Sequence, residues 1–290
     1  MLTIDPNEIP TAKLHSYLLN AVAPRPIAFA STIDKKGKVN LSPFSFFNVY
    51  SSNPPIMIFS ANRRVRDNST KHTLENILQT KEVVINIVNH DLVHQASLCS
   101  TEYPKGVNEF MKSGLTMCKS EQVRPYRVAE SPVQFECKVN EVIALGDQGG
   151  AGNLIIAQVL KMHIRPEVLD DFGEIDPLKI DLVARMGGDW YSRSSEGMFQ
   201  VPKPLRTQGI GVDQIPEFIR NSTVLTGNDL GRLGNVERIP EKEEVEAYIN
   251  ENIKVRELLS GDDNTQIQMK AKRLIEENKV AEAWKLLLAK

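Results

Sequence analysis

Cations and hydroxyl groups are concentrated in one short segment, RRVRDNSTKHT, which spans residues 63–73. The side chains that could hold an anion there are Arg63, Arg64, Arg66, Ser69, Thr70, Lys71 and Thr73. A predicted helix follows at once, and its free N-terminal N–H groups would add to the attraction for a phosphate dianion. A solvated basic loop with a threonine helix cap would have the same composition. The local sequence does not decide between a phosphate site and such a loop.

A second segment, NLSPFSFFNVYSSNPPIMIFS (residues 40–60), combines small hydroxyl side chains with aromatic rings. A planar heteroaromatic ligand needs flat apolar walls and backbone N–H and C=O groups that no sheet uses. We expect Pro43 to interrupt the strand ladder and to free such groups, while the small serines let the backbone approach a ligand. The alternative is a twisted strand whose Phe44, Phe46 and Phe47 enter the core.

Other chemical motifs are absent or stand in the wrong context. GDQGGAGN (146–153) is followed by a predicted strand, whereas a dinucleotide-binding loop opens a helix, so we predict a hairpin loop. His90 and His94 are four residues apart, but neither an intervening glutamate nor a third ligand is apparent, and no metal site is predicted. Without a G-x-S-x-G elbow or a cysteine–base pair, no catalytic residue is assigned.

Composition limits the class of protein. Of the 290 residues, 41% are hydrophobic and 25% are charged, which allows a sizeable core. The formal net charge of −2 argues against a general nucleic-acid binder. No apolar run approaches the roughly 20 residues that cross a bilayer, and no secretory signal is recognised, so no membrane contact is expected. Three scattered cysteines are typical of a reducing cytoplasm.

Hydrophobic periodicity predicts a mostly β region followed by helices. The predicted helices of the β region lie at 11–20, 72–81 and 89–99, with one helical turn near 109–111. The first of these is expected to pack Leu14, Leu18 and Leu19 on one side. The predicted strands lie at 27–33, 55–60, 82–88, 133–145 and 154–164, and a hairpin turn lies at 34–38.

After Pro204 the predicted strands give way to predicted helices. We therefore place a domain boundary there, between 1–205 and 206–290. Three helical segments are predicted beyond it, at 215–222, 240–259 and 265–290, with a glycine-punctuated linker between the first two. The apolar residues of the last segment are expected to bury against the β domain or a partner subunit. They are Leu274, Ile275, Trp284, Leu287 and Leu288.

Four ordered segments resemble the flavin reductase-like family, in particular its flavoredoxin-like subgroup. They are PRPIAFASTIDKKGKVNLSPFSFFNVYSSNPPIMIFS, KHTLENILQTKEVVINIVN, RVAESPVQFECKVNEVIALGD and DLVARMGGDWYS. The resemblance covers about Asn20 to Pro204. It implies a mainly β fold, the FMN-binding split barrel, with six antiparallel strands in Greek-key order and a C-terminal helical extension outside the shared domain. It also implies a homodimer with two FMN sites.

The resemblance further implies which residues bind the cofactor. The segment 42–48 would line the isoalloxazine through the backbone of Pro43, Phe44 and Ser45, with Ser51 beside it. Ser60, Ala61 and Asn62 would approach the ribityl chain and the phosphate. The complete set is Arg25, Ser42, Pro43, Phe44, Ser45, Asn48, Ser51, Ser60, Ala61, Asn62, Lys71, Thr73, Gly188 and Tyr191.

Five of these positions have distinct implied roles. Lys71 and Thr73 match the family's phosphate-binding lysine and threonine, which agrees with the separate argument from the basic segment. Arg25 would reach the polar edge of the flavin. Gly188 and Tyr191 would lie at its outer rim.

The resemblance implies a cytoplasmic FMN-dependent oxidoreductase. NAD(P)H would transfer a hydride to flavin N5, and electrons would pass on to a small-molecule or protein acceptor. Since the cofactor carries the chemistry, no general acid or base is required of the protein. A flavoredoxin-like electron carrier reduced by a protein partner is the alternative, because no nicotinamide-binding motif is present. A third hypothesis is a barrel that has lost flavin and serves only as a binding or structural module.

Overall fold

The computed structural model describes residues 1–201, 204–205, 207–261 and 263–289, which divide into two compact units, Met1–Phe199 and Gln200–Lys290. The helices of the first unit are α1 (Thr11–Ala21), α2 (His72–Thr80), α3 (Val93–Leu98), α4 (Glu109–Ser113) and α5 (Pro177–Ile180). Its strands are β1 (Ala28–Ile33), β2 (Val39–Phe44), β3 (Phe47–Ser52), β4 (Pro55–Ser60), β5 (Glu82–Ile87), β6 (Met117–Cys118), β7 (Arg127–Val128), β8 (Val133–Ala144), β9 (Asn153–Ile164), β10 (Val183–Arg185) and β11 (Tyr191–Arg193).

The main sheet has seven antiparallel strands in the order β2-β1-β5-β8-β9-β4-β3. The two edge strands, β2 and β3, follow each other in the chain with only Ser45 and Phe46 between them. Such a short connection spans at most about 11 Å, so the sheet must curl until its edges meet. The predicted split barrel is confirmed. Its strand count is seven rather than six because the segment 39–52 bends at Ser45 into two strands.

The part of the sheet around β1 is covered on both faces. Along β1, Ala28 and Ala30 point into the barrel core, whereas Phe29 lies in a second cluster with residues of α3 and α4. This explains why all six residues of β1 are buried, rather than every second one. Leu74 and Ile77 of α2 pack into the barrel cluster and cover its end.

Two expectations for the segment 40–60 change. Pro43 does not interrupt the ladder, because it lies within β2 opposite Phe29, and an edge strand tolerates a residue without an N–H. The phenylalanines divide between two environments. Phe44 is buried against Phe59, with ring centroids 5.3 Å apart, and Phe47 packs partly on the same core, whereas Phe46 is exposed. α1 has its predicted place, but it buries no residue and Leu18 is exposed.

The second unit is helical. Its helices are α6 (Glu217–Arg220), α7 (Gly227–Leu233), α8 (Lys242–Glu251), α9 (Ile253–Ser260), α10 (Asn264–Glu276) and α11 (Val280–Leu288). α7 lies where the sequence suggested a linker, because Thr226 and Asp229 form a reciprocal capping box that begins a helix despite the glycines. Arg206, at the predicted domain boundary, and Lys290, at the end of the last predicted helix, lie outside the described residues, and the domain division stays a prediction.

The apolar faces of α10 and α11 are buried within the helical unit itself, which corrects the expectation that they pack on the β domain or a partner. Leu274, Ile275, Trp284 and Leu287 share one cluster, and Leu288 packs against it. Trp284 is fully buried, and its Nε1 donates to the carbonyl oxygen of Leu233 at 3.0 Å. None of the described helices is long and apolar enough to cross a membrane.

We predict that Trp284→Ala lowers the free energy of unfolding of the helical unit by about 3–5 kcal/mol, through the lost burial and the cavity left behind. Urea denaturation followed by far-UV circular dichroism measures the effect. Phe218→Ala is the control, because Phe218 is exposed on α6 and its loss should change stability by less than about 0.5 kcal/mol. Equal stability of the two variants would contradict the assigned core.

Candidate functional site

A polar pocket lies at the N-terminus of α2, and we call it the α2 pocket. Three parts of the chain form it: β2, the start of α2 with the loop before it, and the segment 99–109. Its lining residues are Asn40, Ser42, Arg64, Lys71, His72, Thr73, Cys99, Ser100, Thr101, Glu102, Tyr103 and Glu109. The pocket therefore brings together three of the residues that the resemblance implies, namely Ser42, Lys71 and Thr73, and it also contains Arg64 of the basic segment.

Lys71 is the cation of this pocket that remains available. It precedes α2 in extended backbone, with φ −83° and ψ 144°, and it is half-buried. Within the described chain, its Nζ has no hydrogen-bond or ion-pair partner. Burial, and then the nearby charge of Arg64, lower the pKa of Lys71 below its usual range. An anion beside the ammonium would relieve both effects.

The arginines of the basic segment have a different role, because they brace the loop. Arg63 donates to Asn68, through Nε to Oδ1 at 2.6 Å and through Nη2 to the carbonyl oxygen at 2.9 Å. Arg64 Nη1 donates to Ser69 Oγ and to the Thr70 carbonyl, each at 2.8 Å. The sequence allowed two interpretations of this segment, a basic loop and a phosphate site, and each applies to different residues. The arginines hold the loop together, and Lys71 is left for a ligand.

Thr73 is anchored deep in the pocket rather than acting as a helix cap. It is 1% exposed, and its Oγ1 accepts a hydrogen bond from Asn40 Nδ2 at 2.9 Å. The cap position belongs to Lys71, whose side chain makes no capping bond. The backbone N–H groups of His72 and Thr73 have no acceptor in the part of the chain that the structure describes, as is usual for the first turn of a helix.

Sequence reasoning missed several pocket residues. Asn40 could have been found, because it is two residues before Ser42 on β2 and side chains two apart share one face of a strand. The contributions of the segment 99–109 had no such signal, since that part of the chain reads as irregular. Glu109 is buried there, and its Oε2 accepts from the Leu41 N–H at 3.1 Å. Burial raises the pKa of Glu109.

Ser60, Ala61 and Asn62 lie together at the end of β4 but do not line the α2 pocket. Ser60 Oγ donates to Asn62 Oδ1 at 2.7 Å, and the Ala61 carbonyl accepts from Asn153 Nδ2 at 2.9 Å. The backbone N–H of Ala61 donates to the Asn153 carbonyl at 3.2 Å. These bonds fasten the chain after β4 to the β8–β9 hairpin, so the expected contact with a ribityl chain stays a prediction.

The predicted ring-binding residues lie along β2 and β3. Ser45 is half-buried at the bend between these strands, and Asn48 is exposed, with its Oδ1 accepting from the Val49 N–H at 2.8 Å. Ser51 adjoins a register shift in the pairing of β3 with β4. Backbone groups are free along this path because β2 and β3 are edge strands of the main sheet, and not because Pro43 breaks a ladder.

Arg25 is buried and serves as a brace. Its Nη1 donates to the carbonyls of Leu19 and Val22, the latter at 2.7 Å, and its Nη2 donates to the Met186 carbonyl at 2.7 Å. Burial, and then the charge of Arg185, lower its pKa. With both terminal nitrogens bound to carbonyls, Arg25 is held at the end of α1 and does not offer them to a flavin edge.

Gly188 and Tyr191 belong to the β10–β11 hairpin, and neither lines the α2 pocket. The Gly188 carbonyl accepts from Arg185 Nη2 at 2.7 Å, and the Arg185 guanidinium lies 4.7 Å from the centre of the Tyr191 ring. Gly188 has φ +56°, a conformation that favours glycine. Their predicted contact with the flavin rim stays a prediction.

The fold agrees with the family comparison. The model of the flavin reductase like domain matches residues 21–179, and this chain belongs to the flavin reductase-like family. An uncharacterised protein of Aquifex aeolicus is 36% identical over 181 residues, covering 62% of this chain and 90% of that protein. Membership in this family supports a flavin-related oxidoreductase activity.

Two solved structures share the fold. Nitrilotriacetate monooxygenase component B from Bacillus cereus is 27% identical, with a TM-score of 0.64, and the match covers 69% of this chain and 98% of that chain. The flavoredoxin of Desulfovibrio vulgaris (Miyazaki F) is 21% identical, with a TM-score of 0.53 and coverages of 62% and 91%. The second likeness bears on the fold alone.

We predict that Lys71→Ala weakens the binding of flavin mononucleotide by about 10- to 100-fold, because it removes a charge-assisted hydrogen bond to the phosphate. Quenching of flavin fluorescence on titration with the protein measures the dissociation constant. Adding Thr73→Ala should weaken binding further but also destabilise the fold, because Asn40 Nδ2 loses its acceptor.

Lys105→Ala is the matched control for this prediction. It removes the same charge from a neighbouring residue whose ammonium pairs with Glu75 and which does not line the α2 pocket. It should leave the affinity unchanged. Undiminished binding by Lys71→Ala would mean that the phosphate site lies elsewhere.

Proposed function

We propose that this protein is an FMN-binding oxidoreductase that takes reducing equivalents from NAD(P)H. The observation that carries the proposal is the ammonium of Lys71, which lies in the α2 pocket without a partner in the described residues. Hydroxyl groups of Ser42, Thr73, Ser100 and Thr101 line the same pocket. A phosphate monoester is the ligand that such cations, hydroxyls and helix N–H groups bind together.

The residues present fit the phosphate of FMN. A dianion next to Lys71 would restore the favourable environment that burial takes from the ammonium. The N–H groups of His72 and Thr73 at the start of α2 add the positive end of the helix dipole. Because Arg63 and Arg64 already have partners within the loop, the site is rigid before the ligand arrives, which lowers the entropy cost of binding.

The ring of the flavin would lie along β2 and β3, beyond Ser42. These strands pair on one side only within the main sheet, so their outer N–H and C=O groups can meet the polar edge of a heterocycle. Ser45, at the bend, lets the backbone come close because its side chain is small. Asn48 and Ser51 continue the same path on β3.

When bound, FMN would supply the redox chemistry and would accept reducing equivalents from NAD(P)H. The protein is needed to bind, orient and tune the cofactor. Backbone N–H donors along the edge strands would favour the negative charge of the reduced ring. No general acid or base is assigned, because hydride transfer to a bound flavin does not require one from the protein.

A flavoredoxin-like electron carrier is the second candidate function. The observation in its favour is that the sequence contains no nicotinamide-binding motif. Such a carrier would bind FMN equally well but would exchange electrons with a protein partner instead of NAD(P)H.

Anaerobic stopped-flow mixing of the FMN-loaded protein with NADH, and separately with NADPH, distinguishes the two functions. We predict that one of the nucleotides bleaches the visible flavin absorption rapidly. The Lys71→Ala variant, compared at equal flavin occupancy, should be bleached at a similar rate, because its defect is in binding. If neither nucleotide bleaches the flavin while reduced ferredoxin does, the carrier function is correct.

We also propose that the protein is a cytoplasmic homodimer. Alternate residues of β9 expose an apolar row on the outer face of the sheet, with Leu160 at 45% and Met162 at 42% exposure, followed by Ile164. A row of this kind is a candidate for burial against a second copy. The free cysteines, Cys99, Cys118 and Cys137, support a reducing compartment.

We predict that Met162→Glu converts the dimer to a monomer, because it places a charge within the apolar interface. Light scattering coupled to size-exclusion chromatography measures the mass. Met111→Glu, an identical change at an exposed position on α4, is the control and should remain dimeric. A dimeric Met162→Glu protein would place the interface on another surface.

A further inference from the structure

The hydroxyl group of Thr73 has its hydrogen-bond direction set by a neighbour. Asn40 Nδ2 donates to Thr73 Oγ1 at 2.9 Å, and the two side chains are buried, with 7% and 1% of their surface exposed. An amide nitrogen only donates, so the hydroxyl oxygen must accept in this bond and its own proton must point elsewhere. No acceptor for that proton exists among the described residues. Thr73 therefore keeps one unused donor.

A ligand in the α2 pocket can supply the missing acceptor. Asn40 and Thr73 both line this pocket, together with Lys71, whose ammonium has no partner in the described chain. A buried donor without an acceptor is unfavourable, and an anionic oxygen is the acceptor that forms the strongest bond with it. The unused donor and the unpaired cation thus favour the same kind of ligand.

On the basis of the proposed function, we propose that Asn40 is a positioning residue for the phosphate of FMN. It holds Thr73 Oγ1 as an acceptor on one side, so that the hydroxyl donates to a phosphate oxygen on the other. Asn40, Thr73 and the phosphate then form a chain of hydrogen bonds that all run in one direction, and bonds in such a chain polarise one another. Asn40 acts through Thr73 and is not a catalytic residue.

A second polar pair provides a structural comparison at the same junction. Asn76 Nδ2 donates to Thr32 Oγ1 at 3.1 Å, and Thr32 lies opposite Asn40 in the pairing of β1 with β2. Both pairs tie α2 to the sheet through an amide and a hydroxyl, and all four side chains are buried. Neither Asn76 nor Thr32 lines the α2 pocket. Of the two pairs, the one formed by Asn40 and Thr73 is placed to serve a ligand.

Titrations of FMN and of riboflavin against the purified full chain, followed by quenching of flavin fluorescence, test the proposal. Riboflavin lacks the phosphate, so the ratio of its dissociation constant to that of FMN measures what the phosphate contributes. Asn40→Leu keeps the approximate size of the side chain and removes the donor, and we expect the ratio to fall about fivefold. In a Thr73→Val background, which has no hydroxyl to orient, Asn40→Leu should not change the ratio further.

Asn40→Asp separates the direction of the hydrogen bond from the tie itself. A carboxylate of the same shape still bonds to Thr73, but it accepts the hydroxyl proton, so that α2 stays tied while the phosphate loses its donor. The added negative charge also repels the phosphate, and the same substitution in the Thr73→Val background measures that repulsion alone. We expect the ratio to fall at least about threefold more with Thr73 than with Thr73→Val. An equal fall in both backgrounds would overturn the inference.

Asn76→Leu is the matched control, because it breaks the other tie of α2 without removing a donor from the pocket. It should lower the free energy of unfolding in urea, as Asn40→Leu does, and leave the ratio unchanged. An equal fall in the ratio for Asn76→Leu would mean that Asn40 merely holds the helix. That result, or an unchanged ratio in Asn40→Leu, would overturn the inference and leave the proposed function standing.

Two results for the unaltered protein would contradict more than the role of Asn40. If FMN binds no more tightly than riboflavin, the α2 pocket holds no phosphate, and this inference fails with that site. If neither flavin binds, the proposed function fails as well.

Discussion

The closure of the barrel at Ser45 and Phe46 is the constraint on which the rest of the first unit depends. β2 and β3 occupy opposite edges of the sheet, and only these two residues separate them in the chain. At the bend, the Ser60 N–H donates to the Phe46 carbonyl at 2.9 Å, which continues the pairing of β3 with β4. Closure leaves the outer backbone edges of β2 and β3 side by side, which is the surface that a flat ligand would use.

Buried polar pairs then position the pocket against this corner. Asn76 Nδ2 donates to Thr32 Oγ1 at 3.1 Å, and Asn40 Nδ2 donates to Thr73 Oγ1 at 2.9 Å, so α2 is tied to both β1 and β2. The Leu41 N–H lies on the edge strand β2 and donates to Glu109. This hydrogen bond links the segment 99–109 to the strand. Each of these groups would be costly to bury without its partner. They therefore determine where α2 begins relative to β2.

The charges around the pocket are divided between structure and binding. Three arginines donate hydrogen bonds to acceptors within the chain and brace the loop. They are Arg63, Arg64 and Arg66. Lys71 is left as the cation with capacity for an anion among the described lining residues. An arginine forms several directed bonds and suits the bracing role, whereas a lysine is a compact point charge whose pKa responds to burial. This division would let the loop keep one shape whether or not a ligand is present.

The sequence by itself predicted five of the seven strands of the main sheet, namely β1, β4, β5, β8 and β9, because hydrophobic period and turn residues act over a few positions. It did not predict β2, β3 or α7. It also indicated Lys71 and Thr73, since cations, hydroxyls and a helix start were adjacent. Tertiary structure decided the rest. It placed Phe44 in the core, assigned Arg25 to backbone carbonyls, and brought Asn40 and Glu102 into the pocket from distant positions. It also buried the last helices among themselves, because the partner of an apolar face or a polar atom is set by packing between segments and is not encoded in local spacing.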